Sequence, residues 1–459
     1  MKFIFPSDMM MWWRGRANRA TWCCYRVIPW WFHRCCKLVH PCRIWLVTLL
    51  VVGVTGDPSR LSPSVAFAET RVIPSVSLSE RYDSNVFFAP AGSVPGLKPW
   101  DFVTTVTPTV QVLDKTREVE TTLNVGGSGN VFVNNSKLNF FSAQVSGLVK
   151  LDGLVGQLIP GLKLSISDSF AFTPEQPSFV QAGTTLPTEN VFARGIQTVR
   201  ANQVTNATSI VASYPISQSL SVRGDYVYSI FRVGDIIFEQ STDVPVVFFD
   251  TDFQRWSIGP SYRLPHGDQV SLNFQTTTAD FRQKGTLGGQ SLNQSITARG
   301  LEAEYSTGTK HWSAVVSAGT TFLEEGSGGL FFFSGKLAVS RQLNPSTRVS
   351  LDVSRQLAPA FFGTSGALIS TVVGASVSRG LGDSFSVTGS ANYALNQATP
   401  VEVARFESYS GTVLINYTGW RDITPSLSYQ YTHFEVSQSG FGFLVNRSVA
   451  LLSLTTRWK

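Results

Sequence analysis

Residues 384–396 read Ser384-Phe385-Ser386-Val387-Thr388-Gly389-Ser390-Ala391-Asn392-Tyr393-Ala394-Leu395-Asn396. Phe385, Val387, Gly389, Ala391, Tyr393 and Leu395 alternate with Ser384, Ser386, Thr388, Ser390, Asn392 and Asn396. Successive side chains of an extended chain point to opposite sides, so this segment is a strand with one apolar face and one hydroxyl-and-amide face. The same pattern returns at 408–418, where Tyr409, Val413, Ile415 and Tyr417 alternate with Ser408, Ser410, Thr412 and Asn416. At the chain end, Ala450, Leu452, Leu454, Thr456 and Trp458 stand against Ser453, Thr455 and Arg457. From residue 70 onward no window keeps a helical period; period two dominates.

A water-soluble sandwich would alternate in the same way, so length and rhythm have to decide. About 18 such segments run from 71–82 to 445–458, most of them 12 to 14 residues long. Strands of globular sheets usually have about 5–6 residues, whereas tilted membrane strands need about 9–11 within the hydrocarbon plus interfacial ends. Short turns such as Pro215-Ile216-Ser217, Pro265-His266-Gly267-Asp268, Thr307-Gly308-Thr309 and Leu343-Asn344-Pro345 interleave with longer connections at 174–200, 232–250, 283–292, 358–366, 397–404 and 435–444. Short periplasmic turns alternating with longer outer loops predict an all-β, up-and-down antiparallel transmembrane barrel of 18 strands, with 16 also compatible. Unpaired backbone groups in hydrocarbon cost several kcal/mol each, so such a sheet must close on itself.

The aromatics fit two interfacial belts. Tyr214, Tyr262, Tyr305, Trp312, Tyr417, Trp420 and Trp458 fall near short-turn ends; Phe170, Phe172, Trp256, Phe281, Phe322 and Tyr409 fall near long-loop ends.

Charge and cysteine separate a leader from the rest. The 459 residues carry a net charge of +6, yet residues 1–68 hold nine Lys/Arg against Asp8 and Asp57, or +7. The remaining 28 Lys/Arg and 29 Asp/Glu give −1 for residues 69–459, so no basic face is left for nucleic acid. All five cysteines (Cys23, Cys24, Cys35, Cys36 and Cys42) precede residue 43. Residues 69–459 thus have no disulfide framework, Cys-ligated zinc site or thiol nucleophile. The apolar run 44–54 is too short to span a membrane as a helix and fits a secretory signal, with cleavage expected after Ala68 in Ala66-Phe67-Ala68. Val54-Thr55-Gly56 is a second candidate site, and an uncut anchoring helix is the alternative. The long basic preface reads either as an over-extended start or as a genuine n-region. Residues 1–68 are therefore expected to be an export leader, and 69–459 one barrel.

Two flanking segments carry a family likeness. Arg81-Tyr82-Asp83-Ser84-Asn85-Val86-Phe87 closes the first strand and Trp100-Asp101-Phe102-Val103-Thr104-Thr105-Val106-Thr107-Pro108 opens the second. The pair resembles the start of a beta-barrel porin family of bacterial outer-membrane proteins that includes barrels encoded beside exopolysaccharide loci. The resemblance spans about 40 residues. It implies an outer-membrane barrel, and polysaccharide traffic through it. The implied partners are outer-membrane lipid, the outer-membrane assembly machinery and periplasmic polysaccharide-export components.

The more polar face of each strand is the expected lumen, with Ser271, Asn273 and Gln275 on one strand and Ser426, Ser428 and Gln430 on another. Charged lumen-lining candidates are Lys150, Lys163, Arg223, Asp225, Arg255, Arg263, Glu302, Glu304, Lys336, Arg348, Asp352 and Arg457, with Glu120 opposing them. Both signs are scattered, whereas steep ion selection uses a ring of one sign. An 18-stranded barrel is wide enough for an aqueous channel, so hydrophilic solutes are the expected cargo. A plugged structural or adhesive barrel is the alternative. A third reading, an outer-face hydrolase, would need His433 as its base, and no nucleophile is apparent in sequence. No catalytic residue, cofactor or metal site is expected.

Three residues resist the pattern. Asp168 and Arg299 fall on apolar faces and Phe332 on a polar one, which suggests a bulge or a misplaced register. The connection 174–200 is a candidate constriction if it folds into the lumen. The carboxylates Asp235, Glu239, Asp243, Asp250 and Asp252 read as a solvated outer loop.

Overall fold

The computed structural model describes residues 69–175, 199–239, 248–284, 293–325, 328–359, 367–399, 404–438 and 441–458. The leader, its cleavage site, most of 174–200 and Asp243 lie outside the described residues.

The strands are β1 (Glu69–Asp83), β2 (Asp101–Lys115), β3 (Glu120–Phe132), β4 (Phe140–Lys150), β5 (Lys163–Thr173), β6 (Val199–Pro215), β7 (Leu220–Glu239), β8 (Phe248–Arg263) and β9 (Gln269–Lys284). They continue as β10 (Asn293–Gly308), β11 (Trp312–Glu325), β12 (Gly328–Asn344), β13 (Thr347–Pro359), β14 (Ala367–Leu381), β15 (Phe385–Thr399), β16 (Ala404–Tyr417), β17 (Ile423–Gln438) and β18 (Phe441–Arg457). Each pairs antiparallel with its sequence neighbours in one 18-stranded sheet. β1 also pairs with β18, from Ser75↔Arg457 to Asp83↔Val449, which closes the barrel. The Trp458 amide extends the seam by donating to the Pro74 carbonyl at 3.1 Å. Strands of 15 residues, tilted as barrel strands are, give a wall roughly 35–40 Å tall.

The start of β1 and the end of β18 lie at one end of the barrel, here the terminal end; the other is the distal end. The terminal-end links are mostly tight. In Leu264–Asp268, Gly267 takes φ 95° while its amide bonds the Leu264 carbonyl at 2.9 Å, a conformation open to glycine at little cost. The exception is 151–162, which contains α1 (Asp152–Leu158). Seven residues are too few to register as helical periodicity, so the sequence reading missed it.

Register sorts the side chains into two faces. On the outer face, Tyr393 meets Tyr409 (ring centroids 5.1 Å), Phe385 meets Tyr417 (4.7 Å) and Trp256 meets Phe274 (5.5 Å). Large apolar groups such as Val377, Val413, Leu427 and Leu452 stand exposed there. The opposite face is concave: a recess of about 440 Å³ is lined by residues that include Thr109, Gln111, Asn124, Gln144, Ser146 and Thr205.

Several sequence expectations change. Asp168 and Arg299 do face outward, and the ladders around them are regular, so neither a bulge nor a register error is involved. Asp168 accepts hydrogen bonds from Asn206 Nδ2 (3.0 Å) and Thr208 Oγ1 (2.6 Å), and Arg299 pairs with Glu324 at 2.8 Å. Partners on neighbouring strands make these outward polar groups tolerable. Phe332 does face inward, where it is buried with Phe281, Ile296 and Leu323. Phe281, packed there, leaves the aromatic belt to which its place near a long-loop end had assigned it. The expected loop 232–250 is largely strand, since β7 runs to Glu239 and β8 starts at Phe248. The two carboxylates at its foot are engaged rather than solvated: Asp250 accepts the Val233 amide at 2.8 Å, and Asp252 pairs with both Arg232 and Arg282.

Candidate functional site

The inner face has two zones along the barrel axis. The terminal half is polar and charged. By register, Lys150, Lys163, Arg223, Asp225, Arg255, Arg263, Glu302, Glu304, Lys336, Arg348, Asp352 and Arg457 all fall on the Ser/Thr/Asn face. They are not gathered into one cluster. Lys150 Nζ reaches Glu120 at 3.3 Å, and Arg255 lies 3.9 Å from Asp225, which also accepts from Ser257 Oγ. Arg348 donates to Ser340 Oγ at 2.7 Å, and Arg457 donates to Gln111 Oε1 at 2.7 Å, across the closing strands. Hydroxyl pairs fill the gaps between them, Ser350–Ser376 and Ser426–Ser453 both at 2.6 Å. Such a wall offers donors and acceptors at short intervals without a concentrated field of either sign.

The distal half is different, and sequence reasoning missed it. The connection 84–100 between β1 and β2 folds against the inner face. Phe87 is 0% exposed and Phe88 3%. Val86, Phe87 and Ala89 are buried with Val103, Phe132 and Leu138 of the β2–β4 region. Phe88 turns the other way, into Phe406, Phe434, Val436 and Val445 on β16–β18, with its ring 5.3 Å from that of Phe434. A third inner-face apolar cluster, around Phe249, Phe281 and Leu323, continues along β8–β11.

A buried polar network ties the loop down. Asp83, fully buried at the end of β1, takes Arg447 Nε at 2.9 Å on Oδ1 and Arg447 Nη2 at 2.6 Å on Oδ2. Arg81 Nε lies 4.0 Å from the same carboxylate, and the Arg447 guanidinium sits 5.8 Å from the Phe88 ring centre. Asp83 Oδ1 also accepts the Asn85 amide at 3.1 Å. Asn85 in turn brackets Ala89: its Nδ2 donates to the Ala89 carbonyl at 2.7 Å and its Oδ1 accepts the Ala89 amide at 3.2 Å. The bracket closes the turn in which Phe88 adopts φ 47°, a left-handed conformation that costs a bulky residue on the order of 1–3 kcal/mol. At the loop's far end Asp101, also fully buried, accepts the amides of Asn134 and Asn135, each at 2.8 Å. Nearby, Arg200 donates to the Leu138 carbonyl at 2.9 Å, with the Phe132 and Phe140 rings 5.3 and 5.5 Å from its guanidinium carbon.

The motif that prompted the family likeness is therefore the anchorage of this loop. One sequence signal pointed to it: Val86-Phe87-Phe88-Ala89 is an unbroken apolar run inside a connection.

The candidate base His433 lies on the outer face. Its Nδ1 is 2.8 Å from Asn446 Oδ1, which also accepts from Tyr431 Oη at 3.0 Å. Among the described residues no serine or threonine hydroxyl is hydrogen-bonded to it.

No family model matches the chain, and no curated protein matches it in sequence. Solved structures do match in shape. Pseudomonas aeruginosa OccK2 (OpdF), solved in complex with glucuronate, is 8% identical with a TM-score of 0.45, over 85% of this chain and 98% of its own. Acinetobacter baumannii OccAB3 is 12% identical with a TM-score of 0.42, over 85% of this chain and 100% of its own. The ferric-catecholate import receptor Fiu of E. coli K12 is 9% identical with a TM-score of 0.44, over 86% of this chain and 82% of its own. The likeness is one of fold. At such identities, cargo and mechanism rest on the geometry of the site itself.

Proposed function

We propose that the chain is an outer-membrane barrel that passes hydrophilic solutes. One observation carries this reading: a closed ladder separates an outer face of exposed Leu, Val, Phe and Tyr from an inner face of hydroxyls, amides and mixed charges. A soluble protein seldom exposes apolar patches beyond a few hundred Å², whereas a lipid-facing band is made of them. With the termini in the periplasm, the distal end faces outward. The terminal-half wall suits neutral or weakly charged cargo, since its cations alternate with Glu120, Asp225, Glu302, Glu304 and Asp352.

Polysaccharide export is the finer reading, and it rests on the sequence likeness of 81–108. On that reading the periplasmic mouth docks export components, and the barrel is inserted by the outer-membrane assembly machinery after its leader is removed.

The test is solute flux in proteoliposomes. Liposomes containing the full chain, or a variant with 86–97 replaced by a short Gly/Ser linker, are challenged with neutral sugars of increasing size. Size-limited swelling in at least the shortened variant is the expected result. Swelling no faster than in empty liposomes for both would sink the channel reading and leave the structural barrel.

A further inference from the structure

The polar wall accounts for passage but not for the distal half of the tunnel, where apolar rings bury one another and arginine–aspartate pairs lie out of water. Rings available to a passing solute would be exposed, yet Phe87, Phe132, Phe249, Phe281 and Phe434 are each under 2% exposed or at 2%. They act as a seal and not as a surface along which cargo slides. We propose that residues 84–100 form a gate that narrows the distal mouth at rest, latched by the Asp83–Arg447 pair and carried by the turn at Phe88. The proposal builds on the channel reading above.

Three independent features carry it. The loop spans two separate patches of wall: Val86, Phe87 and Ala89 sit on the β2–β4 side and Phe88 on the β16–β18 side. It thereby bridges the seam where the barrel closes, and the Ser84 amide continues that seam to the Ser448 carbonyl at 2.9 Å. Second, its fastening is concentrated in a few side chains. Asp83 links the loop to β18 through Arg447 and to the loop's own turn through the Asn85 amide, so one carboxylate couples the tip to the wall. Losing one partner of a buried ion pair leaves an uncompensated charge, so such a latch is either fully made or strongly disfavoured. Third, Phe88 is held in a left-handed conformation, which persists only while its surroundings over-determine it. Release of the ring relieves that backbone, which favours two discrete positions over gradual drift. Because the loop packs on both patches at once, a displacement of the tip that parts them is enough to change conduction.

The test combines current with chemical access. In planar bilayers the full chain is expected to show small or intermittent currents. The Gly/Ser replacement of 86–97 is expected to conduct several-fold more and without closures. Asp83→Asn, which keeps the shape and the acceptor for the Asn85 amide but loses the charge, is expected to raise the open fraction. In parallel, Ala89→Cys is introduced with the five leader cysteines changed to serine. It should resist a membrane-impermeant thiol reagent in the latched protein and react readily when Asp83→Asn is added. Equal currents from the full chain and the shortened variant would overturn the gate while leaving the channel intact. Absence of current from both would remove the channel reading and the gate with it. Rapid labelling of Ala89→Cys with Asp83 in place would overturn the latched position directly.

Discussion

At the scale of single residues, the informative positions are those that break the alternation. Arg299 points outward with Glu324 at 2.8 Å, on strands whose remaining outward neighbours include Leu301 and Phe322. Glu324→Gln leaves that guanidinium without its counter-charge. An unpaired Arg near the bilayer midplane costs about 2–4 kcal/mol. Urea unfolding in lipid vesicles should register a loss within that range, whereas replacing Arg299 and Glu324 together by Leu should cost less than the single change. Parity alone put Asp168 and Arg299 on the outer face; what it lacked was the identity of the cross-strand partners, which only the register supplies. The distal arginines were illegible for a related reason. Alternation assigns Arg81, Arg200 and Arg447 to faces, but it is silent on whether water or a folded-in loop lies opposite.

At the scale of elements, strands were easy to read and connections were not. Strand identity follows from side-chain chemistry repeated over 11 to 20 residues, so errors at the ends average out. Connections hang on single contacts. The tight link between β8 and β9 is an example: Asp268 accepts from Thr307 Oγ1 at 2.6 Å and from Tyr305 Oη at 2.7 Å, tying it to β10. These hydrogen bonds, Thr307 first and Tyr305 second, hold the Asp268 carboxyl below its ordinary value. A carboxyl whose folded value is depressed contributes stability above its unfolded pKa of about 3.9, and that contribution fades as pH falls through the folded value. The group is solvent-exposed, so the effect is local to the turn. Carbon-detected titration of Asp268 should give a midpoint below that of a free aspartate, and Thr307→Val should move it upward. An unchanged midpoint in that variant would show the hydroxyl to be incidental. The stretch 232–250 was misread for the opposite reason. Its acidic residues resemble a solvated loop in composition, while Asp250 and Asp252 are occupied by the Val233 amide and by Arg232 and Arg282.

At the scale of the whole molecule, closure governs. Nine residue pairs join β1 to β18, and every other strand already has two neighbours. Removing 441–459 would expose the edges of β1 and β17 together, and in hydrocarbon those backbone groups have no other partner. The expected outcome is all-or-none: no 17-stranded barrel, and loss of the heat-modifiable, fast-migrating band on electrophoresis. A stable smaller barrel from the truncated chain would contradict the closing role of the seam. Architecture was legible from sequence because one rule, alternation over long segments, acts on every strand. The apolar fill of the distal half was not, because it depends on residues far apart in the chain meeting across an interior.

The seam has one more consequence. The Trp458 amide meets the carbonyl of Pro74, so the first strand and the last strand of the barrel begin and end side by side. A short peptide joining those two strand ends would make the barrel-forming residues a circle, which can then be cut in any distal connection. Circularly permuted versions would present the same wall to lipid while changing which strand is synthesised first. Threading order thereby becomes a quantity the experimenter sets.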